Sequence, residues 1–432
     1  MACRSTRAAG GPDVTLGEAI VRGLAPDGGL YVPTSIPAMS PSDVAALAGR
    51  PIDEMAAALI APLAEDTFDP PALRRLLAAA LDFPAPLRPL DDGLYVLELF
   101  HGPTLAFKDF GARTMARLLA AVASGPGGPL TVLVATSGDT GGAVADAFFG
   151  VAGTRVVVLY PRGRVSPTQE AQFATLGGNV TAVAVEGTFD DCQRLVKEAF
   201  GDATLAARAR LTSANSINIG RLLPQMAYYA AAVAQLPAGA APPVVVVPSG
   251  NLGNLTAGVM ARRRGVPIAR FVSATTVNDP FPRFLASGRF EPRRAVPTLA
   301  SAMDVGHPSN LERLTWLYGG DLDAMRRDIA GLAVTDDEVR AAMRELHARH
   351  GYVADPHTAV AYAGATRLAP GPGPVVLLAT AHPAKFPEVV EPTLGLPVAV
   401  PPALAARLAL DVRATPIAPS LDALAPVLSA DA

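Results

Sequence analysis

The segment HGPTLAFKDFGA, residues 101–112, contains a lysine whose surroundings favour chemistry over simple solvation. Lys108 follows an aromatic residue, Phe107, and precedes Asp109, in a run that carries little other charge. A lysine whose ammonium group is partly removed from water has a lowered pKa, so it can act as a base or form a Schiff base. Asp109 either caps the following helix or tunes the lysine, and the pattern favours the cap.

Two glycine-rich loops follow short β-branched runs and could bind anions. In ATSGDTGGA the candidates are Ser137, Gly138, Asp139 and Thr140, and in VVVVPSGNLGNLTAG they are Gly250, Asn251, Leu252, Gly253 and Asn254. Small residues at a helix N-terminus expose backbone N–H groups, which attract phosphate or carboxylate. The second loop has neither the G-x-x-x-x-G-K-S/T nor the G-x-G-x-x-G spacing. Each loop alone could also be an ordinary turn, so neither establishes a site by itself.

A third strand end, in LLATAHPAKF at residues 377–386, carries a threonine. Thr380 would be buried there, and a buried hydroxyl needs a partner, most simply a backbone carbonyl. Taken together, a lysine held by its surroundings, two anion loops and a strand-end hydroxyl are the parts of an enzyme that uses pyridoxal 5′-phosphate (PLP). In such enzymes the lysine holds the cofactor, which acts as an electron sink, while the protein supplies orientation.

These loops must be positioned by a regular framework. Six short β-branched runs lie at residues 130–138, 154–161, 180–187, 244–250, 268–274 and 375–381. Helical stretches separate these runs. One of them has apolar residues at helical spacing that begin at Met115, and another begins with a capping-box signature formed by Thr188 and Asp191. A third helix is kinked or begins near Pro224. Apolar strands that alternate with helices predict an α/β fold with mainly parallel sheets covered by helices.

Composition shifts predict three parts. Residues 1–85 hold helical pieces and the turn LAPDGGLYVP, and predict an α-rich N-terminal cap domain. Residues 86–390 hold the alternating pattern and predict a catalytic domain with two subdomains around the site. Residues 391–432 are rich in Ala and Pro and predict a small C-terminal extension.

The overall composition of the 432-residue chain narrows its class. A net charge of −3 predicts neither nucleic-acid nor anionic-membrane binding, and we find no unbroken apolar run long enough for a membrane span. Cys3 and Cys192 give no disulfide framework, and the N-terminus lacks the apolar core of a secretory signal, so we expect a cytoplasmic protein. His347 and His350 could form a metal pair by their spacing, but the pattern favours the solvated C-terminal end of a helix. No other Cys or His residues have zinc spacing, so we expect no metal. We expect a monomer or a homodimer.

Eight motifs together carry a resemblance to a known family. They are LAPDGGLYVP, HGPTLAFKD, TSGDTGGA, NSINIGRLLPQ, PSGNLGN, MDVGHPSNLER, DPHTAVAY and LATAHPAKFPE. In order and spacing along nearly the whole chain, they resemble the threonine synthase family, in its longer form with an extended N-terminal domain. The resemblance implies the tryptophan synthase β-like PLP fold (fold type II). It also implies conversion of O-phospho-L-homoserine and water to L-threonine and phosphate by γ-elimination and β-addition.

The resemblance also implies roles for individual residues. Lys108 matches the PLP-bound catalytic lysine, the residues from Gly250 to Asn254 match the phosphate loop, and Thr380 matches the contact to the pyridine nitrogen. The residues from Ser137 to Thr140 match the loop that holds the amino-acid end of the substrate. Asn218 and Arg221 are candidates for the substrate phosphate, because arginine can bind two phosphate oxygens at once.

Two departures from the family pattern bear on the site. Leu252 stands where the family often has phenylalanine, and Ile219-Gly220 replaces a bulkier pair beside Arg221. The main rival is a dehydratase or phospholyase on the same scaffold, which needs no site for a γ-phosphate. A non-catalytic binding protein would be expected to lose Lys108 or to break the loops, and a kinase would need a nucleotide motif that is missing from the sequence.

Overall fold

The computed structural model describes residues 2–7, 11–123, 128–368 and 373–429. Residues 1 and 8–10 of the predicted N-terminal domain therefore lie outside the described part, as do residues 430–432 of the predicted C-terminal extension. Within the described part, no helix is both long and apolar enough to cross a membrane.

The N-terminal region is mainly helical. Its elements are β1 (Cys3–Ser5), α1 (Leu16–Arg22), β2 (Tyr31–Pro33), α2 (Pro41–Ala45), α3 (Ile52–Ala64) and α4 (Pro70–Ala80). Side-chain caps define the helix starts: Thr15 and Glu18 form a capping box on α1, and Asp69 accepts the backbone N–H of Ala72 at the start of α4. The strands β1 and β2 pair in antiparallel fashion. The apolar faces of α1, α3 and α4 join the same hydrophobic core as the catalytic region.

The rest of the chain alternates strands and helices as the sequence predicts. The elements up to the middle of this region are β3 (Leu87–Asp91), β4 (Leu94–Glu98), α5 (Lys108–Val122), β5 (Leu130–Ala135), α6 (Asp139–Phe148), β6 (Thr154–Pro161), α7 (Pro167–Ala174), β7 (Val180–Val185), α8 (Phe189–Gly201), α9 (Ala203–Arg208) and β8 (Leu211–Thr212). Then follow α10 (Ile219–Leu222), α11 (Met226–Ala234), β9 (Val244–Pro248), α12 (Gly253–Arg263), β10 (Arg270–Thr275), α13 (Pro280–Ser287), α14 (Leu311–Leu317), α15 (Leu322–Asp328) and β11 (Ile329–Ala333). The last elements are α16 (Asp336–His350), α17 (Pro356–Arg367), β12 (Val375–Ala379), α18 (Pro387–Leu394), α19 (Pro402–Leu408), β13 (Ala414–Ile417) and α20 (Leu421–Ser429). The 3-10 turns are Leu223–Gln225, Ser301–Met303 and Pro383–Lys385.

Two larger sheets organise these strands. One has six strands in the order β11-β10-β9-β12-β4-β3, parallel except for the β3–β4 hairpin. The other has five parallel strands in the order β13-β7-β6-β5-β8. Strands β5, β6, β9 and β12 are buried at every position, because helices cover both faces. The predicted α/β fold with mainly parallel sheets is confirmed.

Sheet order explains how distant loops meet. Strands β9, β12 and β4 are neighbours in the six-stranded sheet and run in the same direction. Their carboxyl ends therefore lie at one edge of the sheet. There β9 is followed by the loop before α12, β12 is followed directly by Thr380, and β4 is followed by the loop before Lys108. Ligands of open α/β sheets bind beyond such carboxyl ends.

The C-terminal region is more than an addition to the surface. Strand β13 pairs with β7 at the edge of the five-stranded sheet, and the backbone N–H of Glu186 donates to the carbonyl of Ile417. Buried Leu424 and Leu428 of α20 join the apolar cluster beneath that sheet. Residues from the C-terminus therefore complete a sheet that begins far earlier in the chain.

Candidate active site

A cavity of about 1300 Å³ opens at the strand ends. Most of the residues predicted from the sequence line it: Lys108, Ser137, Asp139, Thr140, Arg221, Gly250, Asn251, Leu252, Gly253, Asn254 and Thr380. Residues from three separate strand-to-helix loops and from α10 thus share one space. Gly138 lies beside the wall as the N-cap of α6, with a φ of 141° that favours glycine.

Lys108 is the first residue of α5, and its side chain is only 14% exposed. Burial lowers the pKa of its amine, and the nearby cations Lys385 and Arg221 lower it further, whereas Asp139 acts in the opposite direction. The side-chain nitrogen also lies 5.1 Å from the centre of the Phe107 ring. Burial therefore makes this amine easier to deprotonate than that of an exposed lysine, and the deprotonated form is the one that can accept a proton or attack a carbonyl.

The expectation that Asp109 caps α5 is wrong. The N-cap is Phe107, and Asp109 lies inside the first turn, fully buried. Its carboxylate accepts the backbone N–H of Thr104 at 2.9 Å and the Thr104 hydroxyl at 2.5 Å. Asp109 therefore fixes the turn that leads into Lys108. Burial raises the pKa of this carboxyl to about 6, although the bonds from Thr104 oppose the rise.

Asp139 lies between two lysines at the start of α6. Its Oδ2 is 3.5 Å from the amine of Lys108, and its Oδ1 is 2.9 Å from the amine of Lys385. Burial alone would raise the pKa of this carboxyl, but the two ammonium groups reverse that effect and hold the pKa well below its usual range. Asp139 is therefore an anion that faces Lys108 at neutral pH.

The loop after β9 forms an anion cradle. Helix α12 begins at Gly253, and its N-cap is Leu252 in the left-handed conformation with a φ of 60°. Among the described residues no side chain caps this helix, so the N–H groups of its first turn remain available to a ligand. Gly250 is needed for close packing, since a Cβ there would come within 2.8 Å of the Met303 Cα.

The two asparagines of the cradle have different partners. Asn251 ties the loop to its neighbours, because its amide nitrogen donates to Ser216 Oγ and its Oδ1 accepts the N–H of Ser309, both at 2.5 Å. Asn254 accepts the hydroxyls of Tyr228 and Tyr229 at 2.7 Å on its Oδ1. Its buried Nδ2 has no hydrogen-bond partner among the described residues, so it is a donor available to an anion on the cradle.

Thr380 follows β12 directly and is 6% exposed on the cavity wall. Its carbonyl accepts the backbone N–H of Phe107 at 2.8 Å. The strand end that carries the hydroxyl therefore also holds the residue before Lys108.

Arg221 and Asn218 separate in the structure. Arg221 is buried on the cavity wall, its Nη1 donates to the Ala214 carbonyl at 2.6 Å, and its Nε has no partner among the described residues. Gly111 makes room for this side chain, because a Cβ there would lie 2.9 Å from Nε. Burial lowers the pKa of Arg221 to about 10, so the group remains a cation at neutral pH.

Asn218 does not lie on the cavity wall as the sequence predicts. Its Nδ2 donates to the carbonyls of Ile20 at 2.8 Å and Ser213 at 3.0 Å, and its Oδ1 accepts the N–H of Gly220 at 2.9 Å. The side chain caps α10 and ties it to the N-terminal region. The assignment of Asn218 to the substrate phosphate is therefore corrected to a structural one, because its amide is fully engaged.

Two residues of the site were not assigned from the sequence. Lys385 is fully buried in the turn after Thr380, and His357 lines the cavity from the first turn of α17. The Nδ1 of His357 is 2.6 Å from Asp355 Oδ2, and its buried Nε2 has no partner among the described residues. Both residues lie in motifs that carry the family resemblance, HPAKF and DPHTAVAY, which was the only signal available.

The residues on this wall fit PLP. A helix start with the unpartnered Asn254 Nδ2 suits its phosphate, a poised lysine amine suits its aldehyde, and a strand-end hydroxyl suits its ring nitrogen. Lys108, Gly253, Asn254 and Thr380 all border the one cavity.

Comparison with known protein families covers nearly the whole chain. A family described as "Pyridoxal-phosphate dependent enzyme" matches residues 81–381. The family "Threonine synthase N terminus" matches residues 3–81, and "Threonine synthase, C-terminal" matches residues 358–427. The N-terminal match ends where the central match begins, and the C-terminal match overlaps the end of the central match and continues beyond it.

Individual relatives agree with these matches. The chain is 46% identical to a threonine synthase of Serratia marcescens over 398 residues, which is 92% of each chain. It is similar to the crystal structure of threonine synthase from Escherichia coli, with a TM-score of 0.93, 42% identity and 99% coverage of both chains. A PLP-bound threonine synthase from Brucella melitensis gives a TM-score of 0.94 at 36% identity, again with 99% coverage of both chains.

Proposed function

Since the chain belongs to the threonine synthase family of PLP-dependent enzymes, we propose that it converts O-phospho-L-homoserine and water to L-threonine and phosphate. PLP is its cofactor. The observation that carries the substrate assignment is the presence of two anion-binding features in one cavity. The start of α12 is one of them, and the buried guanidinium of Arg221 is the other. A cofactor phosphate occupies one, which leaves the other for a phosphorylated substrate.

Bound PLP would draw electrons from the amino-acid carbon skeleton and so acidify its Cα–H and Cβ–H bonds. The chain supplies the groups that hold it: the first turn of α12 and Asn254 for the phosphate, Thr380 for the ring nitrogen and Lys108 for the aldehyde carbon. These groups come from the starts of two helices, α12 and α5, and from the loop after β12.

Proton transfer falls to Lys108. Its amine has a lowered pKa and lies inside the cavity, so it can take the proton from the substrate Cα and later from Cβ, and return protons after phosphate leaves from Cγ. Asp139 stabilises each ammonium that forms on Lys108 from a distance of 3.5 Å. The loop from Ser137 to Thr140 opens α6 at the same wall, where it suits the carboxylate of the substrate.

Arg221 anchors the far end of the substrate in this proposal. A guanidinium that is buried on the cavity wall orients a phosphate ester and stabilises the leaving phosphate as charge develops on it. Burial strengthens that interaction, because water does not compete for the guanidinium.

The domain organisation and setting complete the proposal. Residues 1–85 form the N-terminal domain, residues 86–390 the catalytic domain and residues 391–432 the C-terminal extension, although β13 joins the sheet of the catalytic domain. We propose that the protein is a monomer or a homodimer. Two buried free thiols, Cys3 and Cys192, suit a reducing cytoplasm.

The test is to incubate PLP-loaded protein with O-phospho-L-homoserine and measure threonine, phosphate and 2-oxobutyrate together. Equal amounts of threonine and phosphate, absent with Lys108→Ala, are expected. Phosphate with 2-oxobutyrate and without threonine would make the protein a phospholyase on the same scaffold. A PLP-loaded protein that forms none of the three would refute the substrate.

A further inference from the structure

The chain contains only three lysines, Lys108, Lys197 and Lys385, although lysine and arginine together number 36. Arginine therefore supplies almost all of the positive charge. Two of the three lysines nevertheless approach the same carboxylate, that of Asp139. Lysine differs from arginine in having a compact ammonium with three donors, so a position that keeps lysine in this chain points to a need for that shape.

The surroundings of Lys385 use all three of its donors. Its Nζ donates to the Thr104 carbonyl at 2.7 Å and to Gln172 Oε1 at 2.8 Å, and it pairs with Asp139 Oδ1 at 2.9 Å. The side chain is fully buried, and it is absent from the cavity wall that Lys108 and Asp139 share. Lys385 therefore holds the carboxylate from behind rather than touching a ligand.

The partners of Lys385 are themselves fixed. Asp109 binds the backbone N–H and the hydroxyl of Thr104, and the amide nitrogen of Gln172 donates to the Thr104 carbonyl at 3.0 Å. Gln169 donates to Asp139 Oδ1 at 3.2 Å. The ammonium thus sits in a socket built from the turn before α5, from α7 and from the start of α6. Such a socket leaves Asp139 Oδ2 pointing toward Lys108, at 3.5 Å.

We propose that Lys385 is a positioning residue, which fixes the Asp139 carboxylate and thereby sets the position and basicity of the Lys108 amine. The inference rests on the proposed role of Lys108 and deepens it. Lys385 touches neither substrate nor cofactor and acts only through Asp139 and its charge.

The charges around Lys108 give the direction of the effect. Three charged groups act on Lys108: Asp139 at the start of α6, Lys385 in the turn after β12, and Arg221 on α10. Asp139 also interacts electrostatically with His357 of α17. With Lys385 present, the negative charge of Asp139 is shared between two ammonium groups. Removal of Lys385 leaves that charge to Lys108 alone and also removes a repulsive neighbour, so the pKa of Lys108 must rise.

The small number of lysines makes this shift measurable in the cofactor-free protein. Trace acetylation with acetic anhydride across a pH series, followed by mass spectrometry, reports Lys108, Lys197 and Lys385 on separate stretches of the sequence. We expect Lys385→Met to raise the apparent pKa of Lys108 by about one unit or more. Lys197→Met is the matched control, because Lys197 is exposed on α8, and it should leave the pKa of Lys108 unchanged.

A double variant separates positioning from simple repulsion. Asp139→Asn should lower the pKa of Lys108, and in that background Lys385→Met should produce a clearly smaller rise than in the wild-type protein. Equal rises in both backgrounds would overturn the positioning role. An unchanged pKa in a folded Lys385→Met protein would overturn the whole inference.

Two further measurements keep the test decisive. If Lys385→Met does not fold, Lys385→Gln retains a polar donor without the charge and should show the same upward shift, and Asp139→Asn alone should still shift the pKa of Lys108 downward. The product assay on wild-type protein runs in parallel. Wild-type protein that forms threonine while the variants leave the pKa of Lys108 unchanged would refute this inference alone, whereas failure of the product assay would refute the proposed substrate.

Discussion

Replacement of Gly250 by alanine is a sharp test of the phosphate cradle. The added Cβ would meet the Met303 Cα at 2.8 Å and the Ala302 carbonyl oxygen at 3.3 Å. Carbon atoms normally approach to about 3.5–4.0 Å, and both neighbours are backbone atoms that cannot rotate away. The loop or the Ser301–Met303 turn must therefore shift, and overpacking of this kind costs about 1–3 kcal/mol.

That cost falls on the cradle, because the loop and the turn both line the cavity. A penalty of about 1–3 kcal/mol corresponds to a rise of about 5- to 150-fold in the Kd for PLP. The assay is titration of cofactor-free protein with PLP, followed by visible absorbance, beside thermal unfolding of the cofactor-free protein. Gly201→Ala is the matched control, since a Cβ there would meet none of the described residues within 4 Å. A Gly250→Ala protein with wild-type PLP affinity would refute the packing argument.

Three other predictions concern single side chains. Arg221→Met should raise KM for O-phospho-L-homoserine by about 10-fold or more, because a charge-assisted bond of about 1.5–3 kcal/mol is lost. The Kd for PLP should change little. A loss of PLP affinity instead would assign Arg221 to the cofactor phosphate. Asn218→Ala should lower the unfolding free energy by at least about 2 kcal/mol, because three buried hydrogen bonds are lost, and KM should change little. Chemical denaturation measures the first effect and steady-state kinetics the second. A changed KM at unchanged stability would support contact between Asn218 and the substrate. Burial raises the pKa of Asp109 to about 6, above its unfolded value, so its contribution to stability is present at about pH 4 and is lost as the pH rises through about 6. Asp109→Asn should therefore flatten the dependence of unfolding free energy on pH in this range, as measured by denaturation at a series of pH values. Identical pH slopes for both proteins would contradict the raised pKa of Asp109.

The parallel framework was readable from the sequence because its signals are local. Apolar β-branched runs such as 244–250 ended in glycine or serine, and the Thr188 capping box and the break near Pro224 both appear where predicted. The β3–β4 hairpin was missed, because PLRPLDDG has the prolines and aspartates of a turn and forms a strand only at the edge of a sheet. Pairing of β13 with β7 depends on partners far apart in the chain, which no local pattern reports.

The residues of the candidate site likewise fall into those that the sequence indicates and those that only the folded chain reveals. Lys108 and the loop at 250–254 follow strands β4 and β9 of the six-stranded sheet, whereas the loop at 137–140 follows β5 of the five-stranded sheet. All three line the same cavity. Asn218 was misassigned because its partners, the carbonyls of Ile20 and Ser213, are known only from the folded chain. Lys385 was missed for the same reason, since Asp139 and Gln172 reach it from other elements.

The central claim is that Lys108, and not the second buried lysine on the other side of Asp139, holds the cofactor. Borohydride reduction of PLP-loaded protein fixes the cofactor on the lysine that holds it, and peptide mapping by mass spectrometry then distinguishes the three lysines of the chain. We expect the cofactor on the peptide that contains Lys108, and unmodified Lys197 and Lys385. Cofactor on Lys385, with Lys108 unmodified, would contradict the proposed site and the roles given to both lysines.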